Sequence, residues 1–187
     1  MKTYCGPTAV GLFLVAAAAQ IVAANPAAGQ EEHPIQVALW APIQAFPEED
    51  AIRGVRLNFI YGKNTSVTGV DIGLVNHTTR EFLGVQWGAV GIAEGTFTGL
   101  QSNLVNVVEG ALEGLQWGMV NSVETGRGAQ FGAVNVAQNF RGLQISFVNY
   151  AESLNGVQIG LVNIIRQGGV LPVMPIVNWS GGDWIPN

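Results

Sequence analysis

Four carboxylates recur at one place in a repeating pattern: Glu94, Glu109 and Glu124 stand fifteen residues apart, and Glu152 follows two periods later. Stacked at strand spacing they would form an acidic ladder, a candidate site in which a divalent cation would relieve mutual repulsion. The competing expectation, and the one adopted, is a solvated acidic turn that discourages association. No Asp-rich calcium repeat of the GGxGxD type accompanies them. Only two histidines are present, His33 and His77. A hydroxyl–imidazole–acid triad would have to use His77, with Asp71 or Glu81 as its orienting group, but no strained nucleophile turn lies nearby. His77 is expected to be an exposed turn residue. Paired carboxylates for glycoside hydrolysis cannot be told apart from these turn glutamates. The stretch from Gly126 to Gly132 has the wrong spacing for a phosphate loop. No catalytic residue, cofactor-binding residue or metal ligand set is therefore expected, and the chain reads as a non-enzyme.

The lone cysteine, Cys5, sits before an apolar run from Ala9 to Ala19 that ends in the small residues Val22, Ala23 and Ala24. With Lys2 at its start this reads as a signal peptide over residues 1–24, and the chain is expected to be exported. Its removal takes away Cys5, and with it any disulfide, thiolate nucleophile or cysteine-bound metal. Loss of Lys2 leaves seven basic residues against thirteen acidic ones, a net charge of −6. Such a chain offers no basic stripe to a nucleic acid.

The elements that position the glutamates come from an eight-residue phrase, clearest as Gly156-Val157-Gln158-Ile159-Gly160-Leu161-Val162-Asn163. It starts at Gly54, Gly69, Gly84, Gly99, Gly114, Gly128, Gly142, Gly156 and Leu171, a period of fifteen or fourteen residues. Counting the leading Gly as position zero, position two holds Gln86, Gln101, Gln116, Gln130, Gln144 and Gln158. Position seven holds Asn76, Asn106, Asn121, Asn135, Asn149, Asn163 and Asn178. Positions one, three and five are mostly apolar, so the alternation predicts a strand with one buried face. An apolar residue also recurs two places before the next Gly, as Val67, Phe82, Phe97, Leu112, Phe140 and Leu154. Each unit therefore sends side chains inward from two places, and adjacent apolar positions five and six mark a corner.

These features predict an all-β fold, a β-solenoid of parallel coils of 14–15 residues, in which the Gln and Asn side chains stack as structural ladders. The alternative is a ten-stranded antiparallel meander or outer-membrane β-barrel. Pro42, Pro172 and Pro175 favour the solenoid, because proline suits the exposed edges that a closed barrel lacks. Trp87 and Trp117 share position three and are expected in the core. Residues 25–34, including His33, are expected to be a disordered lead-in, 35–53 an N-terminal cap, 54–179 the nine-unit repeat domain and 180–187 a tail. Within the cap, Pro47-Glu48-Glu49-Asp50 is expected to form one helical turn or a tight acidic loop.

From Val37 to Trp179 the chain resembles an uncharacterised family of bacterial surface-repeat proteins built from GLQxGLVN units. The resemblance includes the non-repeat landmarks Gly54-Val55-Arg56-Leu57-Asn58 and Leu171-Pro172-Val173-Met174-Pro175-Ile176-Val177-Asn178-Trp179. It implies export and residence at the outer surface or outer membrane, and it carries over no catalytic residues. The expected role is a structural or interaction scaffold of the envelope, with an envelope barrel or transport role as the alternative. The partner is unspecified: an envelope component or another protein, with membrane association left open and no nucleic acid. Any localised function is expected where the repeat fails, at Tyr61 and Gly91 in place of Asn, at the Glu-bearing turns and at the proline-containing ends.

Overall fold

A computed structural model describes residues 31–181. The expected signal peptide, residues 25–30 of the lead-in and most of the tail lie outside the described residues. Eight strands follow in order: β1 (Glu32–Trp40), β2 (Ile43–Gln44), β3 (Ala51–Ala93), β4 (Thr96–Trp117), β5 (Val120–Phe131), β6 (Val134–Ile145), β7 (Val148–Gln167) and β8 (Val173–Ser180). The longest, β3, runs for 43 residues, far beyond a straight strand, because it winds through successive coils. All belong to one sheet in the order β2-β1-β3-β4-β5-β6-β7-β8. From β1 to β7 the long strands pair in parallel, with Gly84 opposite Gly99, Gly114 opposite Gly128 and Gly142 opposite Gly156. The chain is thus a β-solenoid. The sheet order ends at β2 and β8 without closing on itself, so the barrel alternative is set aside.

The leading glycines stack in a column. Gly114, at φ +144°, is in a backbone conformation that L side chains rarely adopt, and a Cβ there would overlap the carbonyl oxygen of Gly99. The same clash recurs from Gly69 to Gly156, each glycine against its predecessor. Close approach of successive backbones therefore requires glycine at position zero.

The interior inverts the usual arrangement. Gln at position two and Asn at position seven are fully buried, whereas the apolar residues of positions one, three and five face outward. The phrase does bury one face, but it is the amide face. A solitary buried amide would cost on the order of 1–3 kcal/mol. Here the coil repeat sets each amide against the next, so the cost is offset. Gln158 donates to Gln144, Gln144 to Gln130, Gln130 to Gln116, Gln116 to Gln101 and Gln101 to Gln86, at 2.6–3.1 Å. Asn106, Asn121, Asn135, Asn149 and Asn163 form the second ladder at 2.8–3.0 Å. The rest of the core is a hydrophobic column of residues two before each Gly, such as Phe82 stacked on Phe97 with centroids 4.5 Å apart. Residues at position nine, from Ala93 to Ile165, face that column.

Both ends depart from the expected layout. Residues 32–34 belong to β1 and not to a disordered lead-in. His33 stacks on Phe46 at 3.6 Å and its Nε2 lies 3.0 Å from Asp50 Oδ2. Ile35, Gln36 and Val37 then pair with Val55, Arg56 and Leu57, which makes the opening strand a further coil with Pro34 at position zero. The segment from Pro47 to Asp50 is a tight turn, with Asp50 N donating to Pro47 O at 3.3 Å. At the other end, Gly168 at φ +78° turns the chain back, and the ninth phrase runs antiparallel as β8, placing Asn178 opposite Gln158. Pro172 and Pro175 thus fall at the last edge, where a missing N–H interrupts no ladder.

Candidate functional site

The largest unassigned feature is the outward side of the phrase. Positions four and seven turn inward while five and six both point out, which creates a convex corner; the bends at 118–119, 132–133 and 146–147 mark it. Position five forms the crest, with Phe59 and Leu161 each 67% exposed and Leu74, Leu104, Met119 and Phe147 also open to solvent. Positions one and three form one flank, with Val55, Leu57, Val85 and Ile159 exposed, and position six the other, with Ile60, Val120 and Val162. Trp87 and Trp117 stand on the first flank at 61% and 62% exposure, so the expectation that they pack in the core is overturned. The physical reason is the parity of the strand: once the amides at position two are inside, position three must be outside.

Charge is segregated from this ridge. From Gly54 to Ile164, positions zero to eight carry only two ionised side-chain types, Arg56 and Asp71, and both are fully buried. The exposed acidic and basic residues fall in the remaining part of each coil: Glu94, Glu109 and Glu124 five residues beyond the crest position, Arg127 and Arg141 before the leading Gly. The coil is amphipathic in cross-section.

The glutamates do not act as a set. Glu94 Oε1 lies 2.8 Å from His77 Nε2, and Glu152 accepts from Tyr150 Oη at 2.9 Å and from Gln167 Nε2 at 3.0 Å. Glu109 and Glu124 are exposed. Among the described residues, no three His, Cys, Asp or Glu side chains gather into a group that could hold a metal ion.

His77 is not an exposed turn residue. It lies within β3, its side chain is only 15% exposed, and its Nδ1 is 2.7 Å from Tyr61 Oη. Tyr61, His77 and Glu94, at positions seven, eight and ten of three successive coils, form a phenol–imidazole–carboxylate row. Neither Asp71 nor Glu81 takes part. Burial raises the Tyr61 pKa, opposed by Lys63 and Arg56 and aided by Glu48 and Glu94. A phenol held protonated is a poor nucleophile at neutral pH and a good donor to Nδ1. The row therefore ties three coils together. Spacings of sixteen and seventeen residues could have revealed it, once the coil period was applied to the two sides of His77.

Gly91, where the repeat lacks its Asn, is explained by a neighbour. Asn103, in place of the usual Gly at position four, reaches back to donate to Gln86 Oε1 at 3.2 Å and Asn106 Oδ1 at 2.8 Å. A Cβ on Gly91 would overlap both Gln86 Oε1 and Asn103 Nδ2. Asn58 makes the matching substitution in the first unit, donating to Asn76 Oδ1 at 2.8 Å. The failures of the repeat at position seven are thus compensated within the core.

No family model, curated protein or solved structure matches the chain.

Proposed function

We propose that the chain is an exported, non-enzymatic envelope protein of the GLQxGLVN surface-repeat type, whose solenoid serves as an interaction scaffold. One observation carries this: coil after coil presents an apolar, uncharged outer surface around one corner while its hydrogen-bonding side chains are spent inside. Scattered exposed apolar residues are ordinary on proteins, but contiguous patches beyond several hundred Å² mark interaction surfaces. The ladder amides bond to one another from coil to coil, and the Tyr61–His77–Glu94 row is held by contacts between successive coils. Support for export comes from the leader-like composition of residues 1–24 and from the family resemblance. In the producing cell, export is expected to leave a chain shortened at its N-terminus and recovered outside the cytoplasm. Recovery of only the uncut chain from the cytosol would overturn the envelope reading.

A further inference from the structure

We infer that the apolar ridge is seated in the acyl region of a lipid bilayer, with the coil axis lying along the membrane plane and the acidic corner turned to water. This rests on the scaffold reading and names what the scaffold binds. Eight coils from Gly54 to Gly156 at roughly 4.8 Å spacing, each offering about seven residues of contour at roughly 3.3 Å, give an apolar area of roughly 900 Å². That exceeds the largest patch of a typical monomer, about 300–600 Å². It is also comparable to one partner's share of a stable protein interface, about 800 Å².

Shape and hydrogen bonding decide between the two occupants. A second copy would have to mate one convex crest with another, and two convex surfaces touch along a line. Acyl chains are fluid and conform to a crest. A protein interface of standard size also carries about ten direct hydrogen bonds. Along this ridge the backbone groups are consumed by the parallel pairing of β3 to β7. The outward side chains at positions one, three, five and six are aliphatic, aromatic or Met, apart from Ser102. Backbone pairing completed within the fold is the condition for contact with hydrocarbon. The exposed indoles of Trp87 and Trp117, on the flank and not at the crest, fit the headgroup boundary where one end of the ring is wet. The charge distribution matches the same orientation, since Glu109 and Glu124 leave the bilayer when the crest enters it. Interfacial elements of this kind bury their apolar face by roughly 5–10 Å.

The test uses the chain from Asn25 onward, which contains the entire compact unit that starts at Glu32, with vesicles of phosphatidylcholine. The chain is expected to float with the vesicles equally at low and high salt, and vesicles with brominated acyl chains are expected to quench its tryptophan emission. The triple variant Leu104→Ser, Met119→Ser and Phe147→Ser should partition at least about ten-fold less, with an unchanged β-sheet circular dichroism signal, while Glu124→Ser should partition like the parent. If the triple variant loses its fold, quenching of the parent chain still decides the matter. A chain that remains in the soluble fraction overturns the inference, as does flotation without quenching. A concentration-dependent dimer that forms without flotation and is lost in the triple variant would identify a second copy as the occupant. Either of these leaves the exported scaffold standing, whereas retention of the uncut chain in the cytosol removes the envelope reading and leaves the vesicle result intact.

Discussion

Arg56 and Asp71, fifteen residues apart and both fully buried, face each other through two parallel hydrogen bonds, Nε to Oδ1 at 2.8 Å and Nη2 to Oδ2 at 2.6 Å. This pair heads the glutamine ladder and sets its direction. A carboxylate can only accept, so Gln86 must present Nε2 to Asp71 Oδ2, at 3.0 Å, and each following glutamine must donate the same way. All six amides therefore point their N–H groups toward Asp71. The asparagine ladder, from Asn106 to Asn163, donates in the opposite sense along the axis. Its dipoles oppose those of the glutamines.

Asp71→Asn is expected to leave the Arg56 guanidinium buried without a counter-charge and to lower the unfolding free energy by about 3–5 kcal/mol. The double variant Arg56→Gln and Asp71→Gln places the ladder residue in both coils and removes both charges, so it should recover most of that loss. Urea unfolding of the three chains compares them. A double variant as unstable as Asp71→Asn would show that the ion pair itself, not the ladder, organises the first coils.

Gly91 and Asn103 are expected to be energetically coupled. Gly91→Asn alone drives a side chain into Gln86 Oε1 and Asn103 Nδ2, while Asn103→Gly alone removes the amide that fills this space. Together the two substitutions restore the ordinary phrase in both coils. A double-mutant cycle should give a coupling energy of about 0.5–3 kcal/mol, with the double variant more stable than the sum of the singles. Strict additivity would remove the compensation.

Alkali should loosen the first coils. Burial raises the Tyr61 pKa, and the hydrogen bond to Glu152 raises that of Tyr150. A raised folded-state value means that the folded chain holds the proton more tightly than the unfolded one. The associated stability is fully present below the unfolded value of about 10 and is lost as pH rises through the folded value. Thermal melts from pH 8 upward should therefore fall above about pH 10. In Tyr61→Phe the fall should be shallower, from a starting point about 1 kcal/mol lower because His77 loses its partner. An equally steep fall in that variant would exclude Tyr61 as a source.

The period, the coil and the identity of the stacking amides are legible in the sequence because Gln and Asn recur in strict register, and only parallel stacking gives such recurrence a partner for every amide. Which side of the strand faces inward is not. Alternation constrains two faces without labelling them, and the ordinary rule that apolar residues go inside misplaced Trp87 and Trp117. The rule fails because each ladder glutamine bonds to the glutamine of the next coil, while the seven residues between phrases supply Phe82, Phe97 and Leu112 as a separate apolar core. Pro34 in place of Gly and Ala41 in place of Asn conceal the coil of β1 in the sequence, and with it the place of His33.

The glycine column offers the sharpest contrast between two chemically identical substitutions. Gly114→Ala puts a Cβ onto the Gly99 carbonyl oxygen, at a φ of +144° that L residues rarely adopt. Backbone strain of this kind costs about 1–3 kcal/mol. Relief by moving the Gly114 coil away from the Gly99 coil would lengthen the 2.9 Å bond that Gln116 donates to Gln101 across the same two coils. The loss should therefore reach at least about 3 kcal/mol, the strain term alone marking its lower range. Gly181→Ala meets nothing within 4 Å and should change stability by less than about 0.5 kcal/mol. Chemical denaturation of the two variants measures both, and hydrogen exchange at the coils on either side of Gly114 locates the damage. If Gly114→Ala unfolds at the parent's midpoint, the coils can separate without cost, and close backbone approach is not what holds glycine at position zero.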